Sequence, residues 1–140
     1  ITNARGLAGM YAPLACGGSL KGVQLVNADS LARMGTVASA TGRDAVLVMP
    51  SRFALGYMKS MDNRRAPAGV RESAILSEAA FGHVGAGGSL GFADPVAGLS
   101  FGYTMNRMGA GTLLTDRGQN LVDATYRALG YQSDASGVWR

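Results

Sequence analysis

Residues 81–95, FGHVGAGGSLGFADP, restrict what this chain can become more than any other stretch. They set its only histidine, His83, among five glycines and end in an Asp-Pro pair. Glycine weakens the interior of a strand or helix unless the backbone needs unusual dihedrals or something must come very close to it. The flanking residues read as strands. AFGHV runs into the glycine cluster, SLGFA leaves it, and DPVAG at 94–98 is a turn with proline where turns favour it. LSFGYTMN at 99–106 then alternates, with Leu99, Phe101, Tyr103 and Met105 on one face and Ser100, Gly102, Thr104 and Asn106 on the other. A glycine-rich antiparallel hairpin with one apolar side is the expected centre of the fold.

Helices surround it. Thr2 or Asn3 caps a helix whose Leu7, Met10, Tyr11 and Leu14 recur at helical spacing; Pro13 weakens it and Gly17-Gly18 stops it. VQLV is extended, and Asn27 or Asp29 starts a short helix with Leu31 and Met34. The apolar run AVLVM at 45–49 is strand-sized, and RFALGYM at 52–58 reads as a half-buried strand with Phe53, Leu55 and Tyr57 on one side. Residues 59–78, polar and without period, predict a long surface loop. Thr115 or Asp116 caps a last helix carrying Leu121, Val122, Thr125 and Leu129, with Gly130 past its end and a polar tail, QSDASGVWR, after it. The order predicts an α+β fold, an antiparallel sheet flanked by helices, with 1–140 forming one domain or a large piece of one.

Composition removes several functions. Apolar residues make up 47% and charged ones 16%, which fits a globular chain, and no apolar run approaches the length of a membrane span. The net charge of +4 is scattered; Arg64, Arg65 and Arg71 share a polar stretch without interleaved aromatics, so they read as a solvated loop and not as a nucleic-acid surface. Cys16 is the only cysteine, which forbids an internal disulfide. One histidine and one cysteine cannot assemble a zinc site of the usual ligands, and no metal or cofactor is expected. Cys16 itself reads as a small core residue on an apolar helical face.

Three motifs fail at the glycine segment. A dinucleotide fingerprint needs glycine where Leu90 stands, and a P-loop needs a lysine, of which none follows Lys59. GGSLG at 87–91 spells G-x-S-x-G, yet that motif requires a strand-to-helix turn and a later histidine. A second strand follows here and His83 comes earlier, so Ser89 reads as a turn or strand residue.

A longer likeness holds. GHVGAGGSLGFADPVAGLSFGYTMNRM resembles the catalytic strand and hairpin near the C-terminus of the serine β-lactamase and penicillin-binding-protein superfamily, closest to its class C-like carboxylesterase branch. TNARGLAGMYAPLACGG, RFALGYM and TDRGQNLVDATYRALG are similar to that family's helix before a double glycine, its preceding strand and its terminal helix. The resemblance implies the C-terminal portion of a β-lactamase/transpeptidase-like fold. It also implies that His83-Val84-Gly85 occupies the place of the family's third motif, K-[ST]-G, with His83 for the lysine and Val84 for the hydroxyl residue. The Ala86 N–H would then be an oxyanion donor. Gly85, Gly87 and Gly88 would leave the substrate's path open beside Val84, and His83 would line the site as a hydrogen-bond donor.

The same likeness implies a small-molecule substrate, an uncharged ester in preference to a β-lactam, because a neutral imidazole holds an anion less firmly than lysine. No serine here has a lysine three places on, and the single Y-x-[NS], Tyr131-Gln132-Ser133, follows the last helix. The nucleophile, its lysine and the assisting tyrosine are therefore expected in a preceding segment, the N-terminal part of the same polypeptide, without which this chain is inactive. The alternatives are β-lactamase or D-Ala-D-Ala peptidase-type activity, or a non-catalytic β-lactamase-like binding protein.

Overall fold

Asn3 opens the first helix, its Oδ1 accepting the Gly6 N–H at 2.8 Å, and α1 runs Ala4–Ala15 with Pro13 inside it. This computed structural model describes residues 2–140. Cys16 follows as the C-cap, where it is exposed, so it is not the core residue its apolar neighbours suggest. A two-residue hairpin comes next: β1 (Ser19–Leu20) pairs with β2 (Val23–Gln24) through Lys21-Gly22, both at positive φ. Asn27 caps α2 (Ala28–Gly35), accepting the Ser30 N–H at 2.8 Å. Then β3 (Ser39–Thr41) pairs antiparallel with β4 (Ser51–Phe53).

The main sheet is β5 (Phe81–Val84), β6 (Leu90–Asp94) and β7 (Leu99–Tyr103), all antiparallel and adjacent in chain order. Met58 bridges both Phe53 and Gly82, which carries the ladder from β4 on to β5. The register sets the two faces. Gly82, Val84, Leu90, Phe92, Phe101 and Tyr103 share one, and Phe81, His83, Gly91, Ala93 and Gly102 share the other. α1 lies on the second face so closely that a Cβ at Gly91 would meet Tyr11 and Leu7, and one at Gly102 would strike the α1 backbone at Ala4 and Ala8. Tyr11, Leu14, Ala15, Phe81 and Ala93 form the core there.

The last helix, α3 (Asp116–Ala128), supports the first face through Gly118, Val122 and Tyr126, not through Leu121 and Leu129, which are each 48% exposed. Val122 and Tyr126 are fully buried, each worth about 1.5–3 kcal/mol of apolar burial. The tail is no loose end. Trp139 is buried in the same core, stacked on Tyr126 with centroids 6.0 Å apart, and its N–H reaches Leu76 O.

Two expectations fail for related reasons. AVLVM is a turn: Asp44 Oδ1 accepts the Val46 and Leu47 N–H groups, Oδ2 accepts the Ser51 hydroxyl, and Val48 sits at φ 59°. RFALGYM is a strand only to Phe53, after which the chain bends, Ala54 N–H bonding Tyr57 O, and leaves Leu55 exposed. Nor is 59–78 a surface loop. Its middle and Glu78 are exposed, while Lys59, Ser60, Met61, Asn63 and Ala74–Ser77 are buried, with Met61 paired to Ala74. Lys59 is charge-bearing yet buried, its Nζ donating to Glu78 O at 2.7 Å, and burial holds its pKa below the usual lysine value.

Candidate active site

β5 carries the candidate site, and the glycine turn that follows it shapes the edge. Gly82 exchanges both backbone bonds with Met58 on the outer side of β5, Met58 N–H to Gly82 O at 2.6 Å and Gly82 N–H to Met58 O at 3.1 Å. No strand continues that pairing beyond Gly82 among the described residues. The turn closes by Gly88 N–H to Gly85 O at 2.9 Å, and Gly85 N–H donates back to Ser89 O at 2.7 Å. Ala86 and Gly87 are thus the corner residues, with Gly87 at φ 88°, the left-handed value that favours glycine at the second corner. Ala86 is exposed, and its N–H finds no acceptor among the described residues.

His83 stands on the α1 face of the sheet, exposed, its ring tilted against Phe53 with centroids 6.1 Å apart. Its Nδ1 lies 2.7 Å from Val84 O. A carbonyl only accepts, so Nδ1 carries the proton and the neutral ring presents Nε2 as an acceptor. In that tautomer His83 offers a second donor as imidazolium. Beside it lies a cavity of about 300 Å³ walled by Val46, Leu47, Phe53, Met58, Val84 and Leu113, with Asp44 and Thr112 at its rim. The Asp44 carboxylate is held below its usual pKa by the Leu47 and Val46 amides and the Ser51 hydroxyl, and both its oxygens are engaged by these donors. The cavity is accordingly apolar.

Gly87 and Gly88 are buried, which alters the reason for their lack of a side chain. A Cβ on Gly87 would press on Met105 and Met108, and one on Gly88 would sit 3.0 Å from Thr115. What comes close to this backbone is a second loop, 108–115. Gly87 N–H donates to Gly111 O at 3.1 Å and Gly109 N–H donates to Gly87 O at 2.9 Å. Of the predicted set, His83, Gly85 and Ala86 are exposed together, Val84 walls the cavity, and Gly87 and Gly88 support the turn from behind. Ser89 bonds Met105 Sδ at 2.6 Å and leads directly into β6.

The sequence reading missed the 108–115 loop and Glu72, whose carboxylate accepts from Thr112 and Leu113. The glycines at 109 and 111 were a signal, since they repeat the spacing of 85 and 87; nothing in the sequence links Glu72 to them.

Comparisons with known proteins find relatives of the fold. No family model matches the chain. Over 116 residues it is 30% identical to the esterase/beta-lactamase LipL of Mycobacterium tuberculosis, covering 83% of this chain and 24% of that protein. Among solved structures, a family VIII carboxylesterase is 35% identical with a TM-score of 0.72, covering 89% of this chain and 31% of its own. A penicillin-binding protein homolog from Caulobacter crescentus is 31% identical with a TM-score of 0.73 over the same shares, and EstA from Arthrobacter nitroguajacolicus is 30% identical at 0.67. In sequence and fold the chain is similar to the C-terminal part of β-lactamase and penicillin-binding-protein-like proteins. It spans under a third of the length of these relatives.

Proposed function

We propose that residues 1–140 form one wall of the active site of a serine hydrolase, a carboxylesterase that works through an acyl-enzyme. One observation carries the reading: an exposed amide at a rigid turn corner, Ala86 N–H, without an acceptor among the described residues. In acyl transfer a serine hydroxyl adds to the ester carbonyl, whose oxygen takes the negative charge. The C–O bond to the alcohol then breaks, the alcohol leaves with a proton, and water later cleaves the acyl-serine. A fixed N–H aimed at that oxygen is worth about 2.7–4 kcal/mol of barrier. Ala86 supplies one such donor here and the serine's own amide the other.

The serine, its lysine and the assisting tyrosine come from the N-terminal part of the polypeptide, covalently joined or as a separate chain. The edge of β7, unpaired among the described residues, and an apolar groove lined by Leu99, Phe101, Leu121 and Leu129 favour such a partner. His83 and Val84 in place of lysine and a hydroxyl residue favour an uncharged ester over a β-lactam, and the apolar cavity beside His83 suits the ester's hydrocarbon portion. The names of two relatives, an esterase/beta-lactamase and a family VIII carboxylesterase, support the same class. The test is hydrolysis of a short-chain p-nitrophenyl ester. Residues 1–140 alone should show none, and addition of the preceding part should restore it; full activity of 1–140 by itself would overturn the proposal.

A further inference from the structure

The turn that presents Ala86 is not held by β5 alone. Its far side, Gly87, is fastened at both ends to the 109–111 backbone. That loop is in turn fastened by one oxygen: Glu72 Oε2 accepts the Thr112 N–H at 2.6 Å, the Thr112 hydroxyl at 3.0 Å and the Leu113 N–H at 2.8 Å. Gly111, at φ 110°, packs so closely that a Cβ there would meet the Glu72 carboxylate at 2.6 Å. Glu72 comes from the 59–78 segment, so one side chain ties that excursion to the 108–115 loop and, through it, to the glycine turn.

We infer that Glu72 is a positioning residue for the oxyanion amide: by fixing residues 111–113 it fixes Gly87, and so the direction of the Ala86 N–H. The inference rests on the functional reading above for its consequence in catalysis, but not for the clamp itself. All three donors converge on one oxygen, so a glutamine that places its carbonyl oxygen there keeps the geometry with weaker, uncharged bonds. Alanine keeps nothing.

The experiment pairs amide hydrogen exchange with kinetics for the unmodified protein, Glu72→Ala and Glu72→Gln. Exchange is followed in this chain, and kcat and KM for p-nitrophenyl butyrate in the polypeptide that carries the nucleophile. In Glu72→Ala the Gly87 and Thr112 amides should exchange at least about tenfold faster, while Gly82, held by Met58, stays protected and reports that the sheet is intact. There kcat should fall by up to about 10²-fold with KM within about twofold, the pattern of a misaimed transition-state group. Glu72→Gln should stay close to the unmodified protein in both. Gly111→Ala, which displaces the carboxylate by crowding, should behave like Glu72→Ala.

Unchanged Gly87 protection in Glu72→Ala, or a loss confined to KM, or equal damage in the Gln and Ala variants, would overturn the inference. If the unmodified polypeptide turns over no ester, the functional reading falls, and exchange at Gly87 still decides the clamp.

Discussion

Asp94 divides its two oxygens between two tasks. Oδ1 accepts the Val96 and Ala97 N–H groups and shapes the β6–β7 turn, while Oδ2 accepts the Ser77 hydroxyl at 2.5 Å and the Tyr126 hydroxyl at 3.0 Å. The residue is fully buried, and burial, with the Asp94 charge beside it, pushes the Tyr126 phenol far above its usual pKa. Asp94→Ala strands two buried hydroxyls and should cost about 3 kcal/mol in urea unfolding; a loss below about 1 kcal/mol would show that the network is dispensable. Individual residues were unevenly legible. Asn3 and Asn27 cap, each one of the two residues the sequence offered there, because capping depends on neighbours three positions away. The Asp94 network was hidden, since Ser77 and Tyr126 reach it from 17 and 32 residues away. His83 enters as a candidate by resemblance alone, and its acceptor face depends on where Val84 O points.

Elements with their own periodicity could be read, and elements fixed by distant partners could not. The β5–β6–β7 hairpins follow the alternation of FGHV, SLGFA and LSFGY, and α1 seats on them where Gly91 and Gly102 leave no side chain in its way. AVLVM looked strand-like because apolarity masks a turn organised by Asp44. Residues 59–78 looked like loop because their buried ends are short and aperiodic, Met61 against Ala74 and Leu76 against Trp139. The clamp from that segment has a pH signature. Burial alone would raise the Glu72 carboxyl, but the Leu113 and Thr112 donors together outweigh it and hold it below its usual range. A lowered carboxylate stabilises the fold above its ordinary value of about 4.3 and loses that contribution as pH falls through the lower folded value. A cavity beside Glu72 is also lined by Arg64, Arg71 and Asp116. The stability margin over Glu72→Gln should therefore be largest near neutral pH and shrink below about pH 4; a margin that ignores pH would contradict the assignment.

At the scale of the molecule, the two faces of one sheet divide the work. The face shared by Leu90, Phe92 and Phe101 is sealed by α3, Trp139 and the buried ends of 59–78, and the other is covered by α1 up to the point where His83 emerges. The outer edge of β5 is closed by Met58 as far as Gly82 and open beyond it, which leaves the glycine turn facing out. The fold class was legible because the glycine hairpin is distinctive. The support behind the turn was not, because the 108–115 loop approaches it from another part of the chain. The account turns on a single amide hydrogen, and Ala86→Pro removes it at the first corner of a turn, where proline is favoured. Steady-state hydrolysis of a short-chain p-nitrophenyl ester by the nucleophile-bearing polypeptide should fall by about 10²–10³-fold in kcat for Ala86→Pro, with the thermal midpoint retained and His83→Ala still partly active. Turnover in Ala86→Pro equal to that of the unmodified protein, or mild and equal losses in both variants, would contradict it.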